Sequence, residues 1–249
     1  MRDKHVRSLP RRWRLASLLV AALAAGTMAA PAPASASASA ARSSASALRD
    51  FDAVTTVNER NVWKHLALIG DKYAIYNDRG LIEGPRTIRE KWPFLPEQFT
   101  HDVDSAGIAI SGPGFRWRHT WTKGNQAITF EDSGIITGPF FIPTPYDGIS
   151  DFNDPLDGRI RRYAVRGGLA TFLFDGAFEA PSVPLANNTF LPERFHSDLD
   201  DVSLEWENNR PKISYYKDNE RVIFSDRRIV ELVNLDAKWP FLNNWRATG

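Results

Sequence analysis

The segments REKWPFLPEQF at residues 89–99 and DAKWPFLNNW at residues 236–245 share the five-residue phrase KWPFL. Their tryptophans, Trp92 and Trp239, lie 147 residues apart, and 147 is three times 49. A shared phrase in a chain with only eight tryptophans indicates an internal repeat. The spacing predicts a repeating unit of about 49 residues.

Four tight-turn signals separate apolar, aromatic-rich runs of the sequence. They lie at intervals of 54, 43 and 51 residues, at Gly70-Asp71, Gly124-Asn125, Gly167-Gly168 and Asp218-Asn219. On both sides of each turn the sequence alternates as in a β-strand, as in WKHLALI before the first turn and KYAIYND after it. The pattern predicts four β-hairpins.

A third feature has nearly the same period. The segments DFDAV, DVDSA, DFNDP and DLDDV have their third residues at Asp52, Asp104, Asn153 and Asp200, separated by 52, 49 and 47 residues. Such a period is too long for a solenoid of single hairpins and fits the four-stranded blades of a propeller. In this arrangement KWPFL closes a blade, because proline ends a strand or short helix, and Thr87 and Glu90 have the spacing of a capping box before it.

These residues resemble haemopexin-like repeats: a unit near 49 residues, an Asp-containing blade start, a KYAIYND hairpin, a Gly-Pro-Arg turn at 84–86 and the WPFLP phrase. The resemblance implies an all-β fold, a single four-bladed β-propeller with short helical turns at the blade ends. The predicted blades span about residues 49–101, 102–150, 151–197 and 198–249. The animal members close the ring with a disulfide, whereas this chain has no cysteine.

The first 48 residues differ in composition from the rest. Arginines precede a short apolar stretch, and an Ala/Ser/Pro-rich segment follows, which predicts a signal peptide and a leader that is removed or disordered. The pair Arg11-Arg12 leaves the Sec and twin-arginine routes both open. We therefore expect a secreted protein, a monomer or weak dimer, with no membrane span after cleavage. The body has more acidic than basic residues, which argues against nucleic acid as a partner.

The resemblance also implies a cation in the axial channel, held by the backbone carbonyls of the four blade starts. On the spacing above these are Asp52, Asp104, Asn153 and Asp200, and oxygen ligands of this kind suit Ca²⁺ or Na⁺. The resemblance also implies a second ring of backbone groups, two residues after each blade-start residue. In this chain these positions are Val54, Ala106, Pro155 and Val202. Because Pro155 has no N–H, an anion held by the amides of that ring would be poorly bound.

Other polar residues of the blade starts are candidate ligand sites. Asp102, Asp198 and Asp201 are predicted to attract a small cation or a polyamine at a channel mouth, as the resemblance to plant seed proteins implies. The alternative is that aspartates at blade starts cap backbone amides in turns. His101 and His196 hold similar positions in the second and fourth blades and could ligate haem iron, or simply be surface or hydrogen-bonded histidines.

The sequence contains no G-x-S-x-G or H-E-x-x-H motif and no cysteine nucleophile. The leading hypothesis is a secreted binding module whose partner, an extracellular small molecule or protein, meets a channel mouth or a blade face. Haem and polyamine are candidate small ligands. The alternative is a secreted propeller hydrolase, glycosidase-like, that uses a pair of carboxylates.

Overall fold

The computed structural model of the chain describes residues 50–112, 114–174 and 178–248. The predicted signal peptide and leader at 1–48 lie outside the described residues. Within the described ranges no helix combines the length and the apolar character that crossing a membrane requires.

The described chain forms four antiparallel sheets, each built from strands that follow one another along the sequence. The first sheet consists of β1 (Ala53–Glu59), β2 (Val62–Ile69), β3 (Lys72–Asn77) and β4 (Gly80–Thr87). The second consists of β5 (Ser105–Ser111), β6 (Arg116–Lys123), β7 (Gln126–Glu131) and β8 (Gly134–Phe141). The third consists of β9 (Gly148–Asn153), β10 (Ile160–Arg166), β11 (Leu169–Phe174), β12 (Phe178–Glu179) and β13 (Val183–Pro184). The fourth consists of β14 (Asp201–Glu207), β15 (Arg210–Lys217), β16 (Glu220–Ser225) and β17 (Arg228–Asn234).

The first strand of each sheet lies at a common axis. Strand β1 contacts β5 and β14, and β9 contacts the same two strands on the other side. Each sheet therefore radiates from the axis as a blade, and the prediction of an all-β, four-bladed propeller is confirmed.

The predicted hairpin turns connect the second and third strands of the blades. Their residues have the positive φ angles that these turns require: 58° at Gly70, 53° at Gly124, 54° at Gly167 and 53° at Asp218. Glycine adopts this backbone region without steric cost, and aspartate adopts it more readily than most residues.

The KWPFL phrase ends a blade in both places, as predicted. In the first blade, α1 (Ile88–Lys91) starts at the capping box of Thr87 and Glu90 and stops at Trp92. In the fourth blade, α2 (Leu235–Lys238) starts at Asn234, whose side chain accepts a hydrogen bond from the N–H of Ala237, and stops at Trp239. A residue before proline disfavours helical backbone, so the helix stops there.

Both tryptophans are buried between their own blade and the next one. The Nε1 of Trp92 donates to Asp132 of the second blade over 2.8 Å, and the Nε1 of Trp239 donates to Asp78 of the first blade over 3.2 Å. Each indole also packs against a histidine of the next blade, Trp92 against His119 at 5.2 Å and Trp239 against His65 at 4.8 Å between ring centroids. The repeated phrase thus fills equivalent places at two blade interfaces.

The last residues of the chain close the ring without a disulfide. The helix α3 (Asn243–Thr248) follows a short 3-10 turn at Pro240–Leu242 and places Trp245 against Phe51, with ring centroids 6.2 Å apart. Arg246 is buried and pairs with Asp236 of the same blade and Asp50 of the first blade. Buried aromatic surface and paired charge therefore join the fourth blade to the first.

The third blade differs from the prediction. Its inner strand begins at Gly148, three residues before the predicted boundary at 151. Among the described residues, its outer edge consists of the short strands β12 and β13, which both pair with β11. The second blade, which lacks the tryptophan phrase, is a regular four-stranded sheet.

Candidate functional site

Four backbone amides, one from each blade, converge on a single side chain in the axial channel. The N–H groups of Val54 and Ala106 donate to Oδ2 of Asp201 over 3.0 and 3.2 Å. Those of Ile149 and Val202 donate to Oδ1 over 3.3 and 2.8 Å. Asp201 is the first residue of β14, and its carboxylate therefore joins all four inner strands.

The hydroxyl of Ser105 completes the surroundings of this carboxylate, donating to Oδ1 over 2.7 Å. Asp201 is fully buried, and burial raises the pKa of its carboxyl group, while the bonds from Ser105 and the surrounding amides act in the opposite direction. Because all five groups can donate, the arrangement suits a carboxylate ion. The chain supplies from its own side chain the negative charge that such an amide ring would otherwise take from solution.

The four amides around the Asp201 carboxylate correct two predictions. Ile149, not Pro155, provides the amide of the third blade, so all four positions have an N–H. Asp201 was predicted at a channel mouth with Asp102 and Asp198, yet it lies inside the channel. The physical reason is that the small residues Ala53, Ser105 and Gly148 begin the other three inner strands and leave room at the axis for one carboxylate.

Serines fill the next layer of the channel. The N–H of Thr56 donates to Ser203 Oγ over 3.1 Å, and the N–H of Leu204 donates to Ser150 Oγ over 2.7 Å. At Gly148 a Cβ would lie 2.7 Å from the N of Val202, so the close approach of the blades requires glycine there.

The aspartates that precede the inner strands cap the hairpin turns of their own blades. Asp52 accepts from the N–H of Gly70 over 2.5 Å, Asp104 from Gly124 over 2.6 Å and Asp147 from Gly167 over 2.6 Å. Asp200 accepts from the N–H of Asp218, and burial and the nearby Asp50 raise its pKa to about 7. These four aspartates therefore cap turn amides of their own blades, whereas for Asp102 and Asp198 the capping alternative stays a prediction.

Asp147, rather than Asn153, is the third-blade member of this set. The N–H of Asp147 donates to Val165 O over 2.9 Å, as that of Asp52 does to Leu68 O over 2.9 Å. Asn153 lies at the far end of β9, where its amide bonds the N and O of Ile110 over 2.9 and 2.8 Å. A spacing of 18 to 20 residues between each aspartate and its turn is the signal that identifies Asp147.

The axial cation therefore stays a prediction, with Asp147 replacing Asn153 in the carbonyl set. In the ranges 50–112, 114–174 and 178–248, no group of three or more His, Cys, Asp or Glu side chains could hold a metal ion. Any cation in this channel would depend on backbone oxygens.

The remaining predicted residues lie in the linkers at the end of the channel where the inner strands begin. Asp102 and Asp198 are exposed, Asp102 contacting His101 over 3.0 Å and Asp198 accepting from Ser197 over 2.9 Å. His196 bonds the carbonyl of Leu191 through Nε2 over 2.9 Å. His196 is thus held within its own linker, whereas His101 also contacts Lys123 of β6, whose Nζ lies 3.1 Å from the histidine Nδ1. The haem and polyamine sites stay predictions.

The opposite end of the channel, where the inner strands finish, opens into a cavity of about 250 Å³. We call it the mouth cavity. It is lined by Val57, Asn58, Arg60, Asn61, Ala109, Ile110, Phe152, Asn153, Glu205 and Trp206. All four blades contribute to it, the first with four residues.

One carboxyl group belongs to this cavity, that of Glu205 on β14. The N–H of Asn58 donates to it, but its Oε1 is buried without a hydrogen-bond partner among the described residues. Burial raises its pKa well above the ordinary value. The corresponding places in the other inner strands hold Val57, Ala109 and Phe152, so Glu205 is an acid in an otherwise apolar ring.

Sequence reasoning missed Glu205. An acid in a strand is usually exposed, and nothing in the alternation of SLEWE marks this one as buried. Alignment of the four inner strands from their first residues would have shown it, because only the fourth strand has a charged residue at this place.

No protein-family model and no curated protein sequence matches the chain. Several solved structures do. The hemopexin fold protein CP4 from cow pea has a TM-score of 0.63 at 13% identity, over 79% of this chain and 98% of that chain. The seed albumin LS24 from Lathyrus sativus has 0.63 at 13%, over 80% and 98%. A plant albumin from Cicer arietinum, described as showing hemagglutination, has 0.62 at 15%, over 78% and 97%.

These similarities extend over nearly the whole of each plant protein and agree with the blade arrangement seen here. At such low sequence identity they establish the fold rather than a shared activity. The chain therefore has the haemopexin fold, as a single four-bladed β-propeller.

Proposed function

We propose that the chain is a secreted binding module that holds a small polar ligand in the mouth cavity. The observation that carries the proposal is the unpartnered Oε1 of Glu205 in a cavity at the end of the axial channel. A buried polar atom without a partner costs free energy, and a ligand that supplies a donor would recover it. The apolar start and small-residue segment of residues 1–48 support secretion.

The lining favours binding over hydrolysis. A glycosidase needs two carboxyl groups on either side of the bond that it cleaves. Among the described residues that line the mouth cavity, Glu205 is the one carboxylic acid. Its partners in the ring are side chains that can position a ligand but not share an acid-base reaction with it.

The axial cation belongs to the proposal as a structural element. Ca²⁺ or Na⁺ would lie on the carbonyls of Asp52, Asp104, Asp147 and Asp200, at the end of the channel away from the mouth cavity. Elemental analysis of dialysed protein and melting with and without EDTA test it. If neither calcium nor sodium is found in stoichiometric amounts, the proposed axial cation is ruled out.

Haem and polyamine are tested separately, because their predicted residues lie at the other end of the molecule. Haemin titration should shift the Soret band only if His101 or His196 leaves its linker contact to bind iron. Calorimetry with spermine tests the exposed Asp102 and Asp198. A positive result that is lost in Asp102→Asn would place the ligand there rather than in the mouth cavity.

The mouth cavity itself is tested by saturation-transfer NMR with mixtures of small amines, amino acids and sugars. The comparison uses wild type, Glu205→Ala and the control Glu207→Gln, whose carboxylate pairs with Lys212 and does not line the cavity. We expect signal from at least one compound in wild type and in the control, and a loss in Glu205→Ala. No signal in any protein, or equal signal in all three, would contradict the proposal.

A further inference from the structure

We propose that the ligand of the mouth cavity is a single sugar ring, bound through its hydroxyl groups. The inference rests on the proposed function and names the chemical class of that ligand. It starts from two side chains that line the cavity and that each carry a buried polar atom without a partner. These atoms are the carboxyl Oε1 of Glu205 and the donor Nε1 of Trp206.

A ligand that satisfies both atoms must accept from Trp206, and it must suit a carboxyl group that accepts when ionised and donates when protonated. An ammonium group donates only, so it would leave the N–H of Trp206 unpaired. A carboxylate or phosphate accepts only, so it would serve Trp206 but would be repelled by Glu205 whenever that group is ionised. A hydroxyl group does both, and neighbouring hydroxyls on one ring can reach two side chains at once.

The charge at the rim argues in the same direction. Arg60 lines the cavity, and its guanidinium lies over the ring of Phe115 at 4.3 Å. A fixed positive charge at the opening disfavours a cationic ligand, whereas the N–H groups of a guanidinium donate readily to hydroxyl oxygens. The amide of Asn61 lines the same side of the cavity.

The rest of the lining combines apolar side chains with two amides, those of Asn58 and Asn153. Val57, Ala109, Ile110 and Phe152 give hydrocarbon surface, and the volume of about 250 Å³ lies just below the range of sites for drug-sized ligands. A sugar ring has C–H groups on its faces and hydroxyls at its edge. It can therefore pack on the apolar side chains while its edge reaches Glu205 and Trp206.

The other acids near the cavity pair with a lysine, whereas Glu205 has no such ion pair among the described residues. Glu207, two residues further along β14, pairs with Lys212. Glu59 at the end of β1 pairs with Lys64 over 2.8 Å and also accepts from Trp117. The buried Oε1 of Glu205 without a partner costs stability, and such unsatisfied groups concentrate at sites that bind a ligand.

The test measures binding of methyl glycosides of glucose, galactose and mannose by saturation-transfer NMR and calorimetry at millimolar concentration. The full secreted chain is used in four forms: wild type, Glu205→Ala, Trp206→Phe and Glu207→Gln. Trp206→Phe keeps an aromatic ring and removes the N–H together with part of the indole, so we expect its fold to be retained even if Glu205→Ala is disturbed. We expect at least one glycoside to bind wild type and Glu207→Gln, with affinity lower by about tenfold or more in the two mouth variants.

Spermine and an amino acid, glycine, are included as competing classes. If either compound binds, its binding is lost in Glu205→Ala and no glycoside binds, the assignment of a sugar as the ligand is overturned. The proposed function then stays intact. Glycoside binding that is unchanged in both mouth variants would also overturn the inference. No binding by any of the probes would overturn the inference and the proposed function together.

Discussion

Replacement of Asp201 by alanine removes the one side chain that is bonded to all four blades. The buried amides of Val54, Ala106 and Val202 and the hydroxyl of Ser105 lose their acceptor, whereas the N–H of Ile149 keeps Ser105 Oγ at 2.7 Å. A buried polar group left unpaired costs about 1–3 kcal/mol, so the gross loss is about 4 kcal/mol or more. Relief from burying a charge and entry of water offset part of it, and a net loss of about 3–5 kcal/mol is expected.

The assay is urea unfolding together with thermal melting. For a domain of about 200 residues, 1 kcal/mol corresponds to about 2–4 °C, so the melting temperature should fall by roughly 10 °C. The control is Asp147→Ala, which removes a carboxylate that caps only the N–H of Gly167 and should cost about 1 kcal/mol.

Small anions provide a second readout. In Asp201→Ala the four amides form a vacant ring, and formate should bind there in place of the lost carboxylate. Formate at ten times its dissociation constant would restore about 1.4 kcal/mol to this variant and nothing to wild type or Asp147→Ala. A loss below about 1 kcal/mol, or equal effects of formate on all three proteins, would refute the role given to Asp201.

Three further predictions concern packing and pH. Trp239→Phe should lower the unfolding free energy by about 1 kcal/mol, as should Trp92→Phe, and clearly unequal losses in urea titrations would contradict their equivalence. Gly148→Ala should cost about 1–3 kcal/mol by overpacking, whereas Gly114→Ala, where a Cβ meets only one side-chain atom at 3.8 Å, should change stability by less than about 0.5 kcal/mol. The pKa of Asp200 is raised to about 7, so the folded state holds this proton more tightly and the unfolding free energy should fall as the pH rises from about 4 to 7. Asp200→Asn should flatten that profile, and an unchanged slope would show that another group causes it.

The fold could be predicted because the sequence contains four copies of one repeating unit. Repetition of KWPFL, of the turns and of the aspartate starts gives three signals with one period, and none of the units can bury its own faces alone. Trp92 and Trp239 lie in matching places because the same local phrase meets the same neighbouring strands. The predicted start of the third blade differs from the observed one. The segment DFNDP at 151–155 resembles DFDAV more closely than YDGIS at 146–150 does, although YDGIS contains the equivalent aspartate.

The site was less predictable for a physical reason. Asp201 accepts hydrogen bonds from the other three blades, and Glu205 accepts one from Asn58 of the first blade. All these partners lie far away in the sequence. Asp201 begins its strand next to two other aspartates, Asp198 at the surface and Asp200 on a turn, and only the packing of four strands places Asp201 on the axis. The pattern of the blade-start segments did predict Asp52, Asp104 and Asp200 as a set, because each of these segments repeats a local sequence within one blade.

Crystallographic density along the channel axis tests most directly whether Asp201 joins the four inner strands. We expect a continuous side chain from Asp201 between the amides of Val54, Ala106, Ile149 and Val202, and a cavity at the far end bounded by Glu205. A separate ion on those four amides, with Asp201 turned away from them, would contradict it.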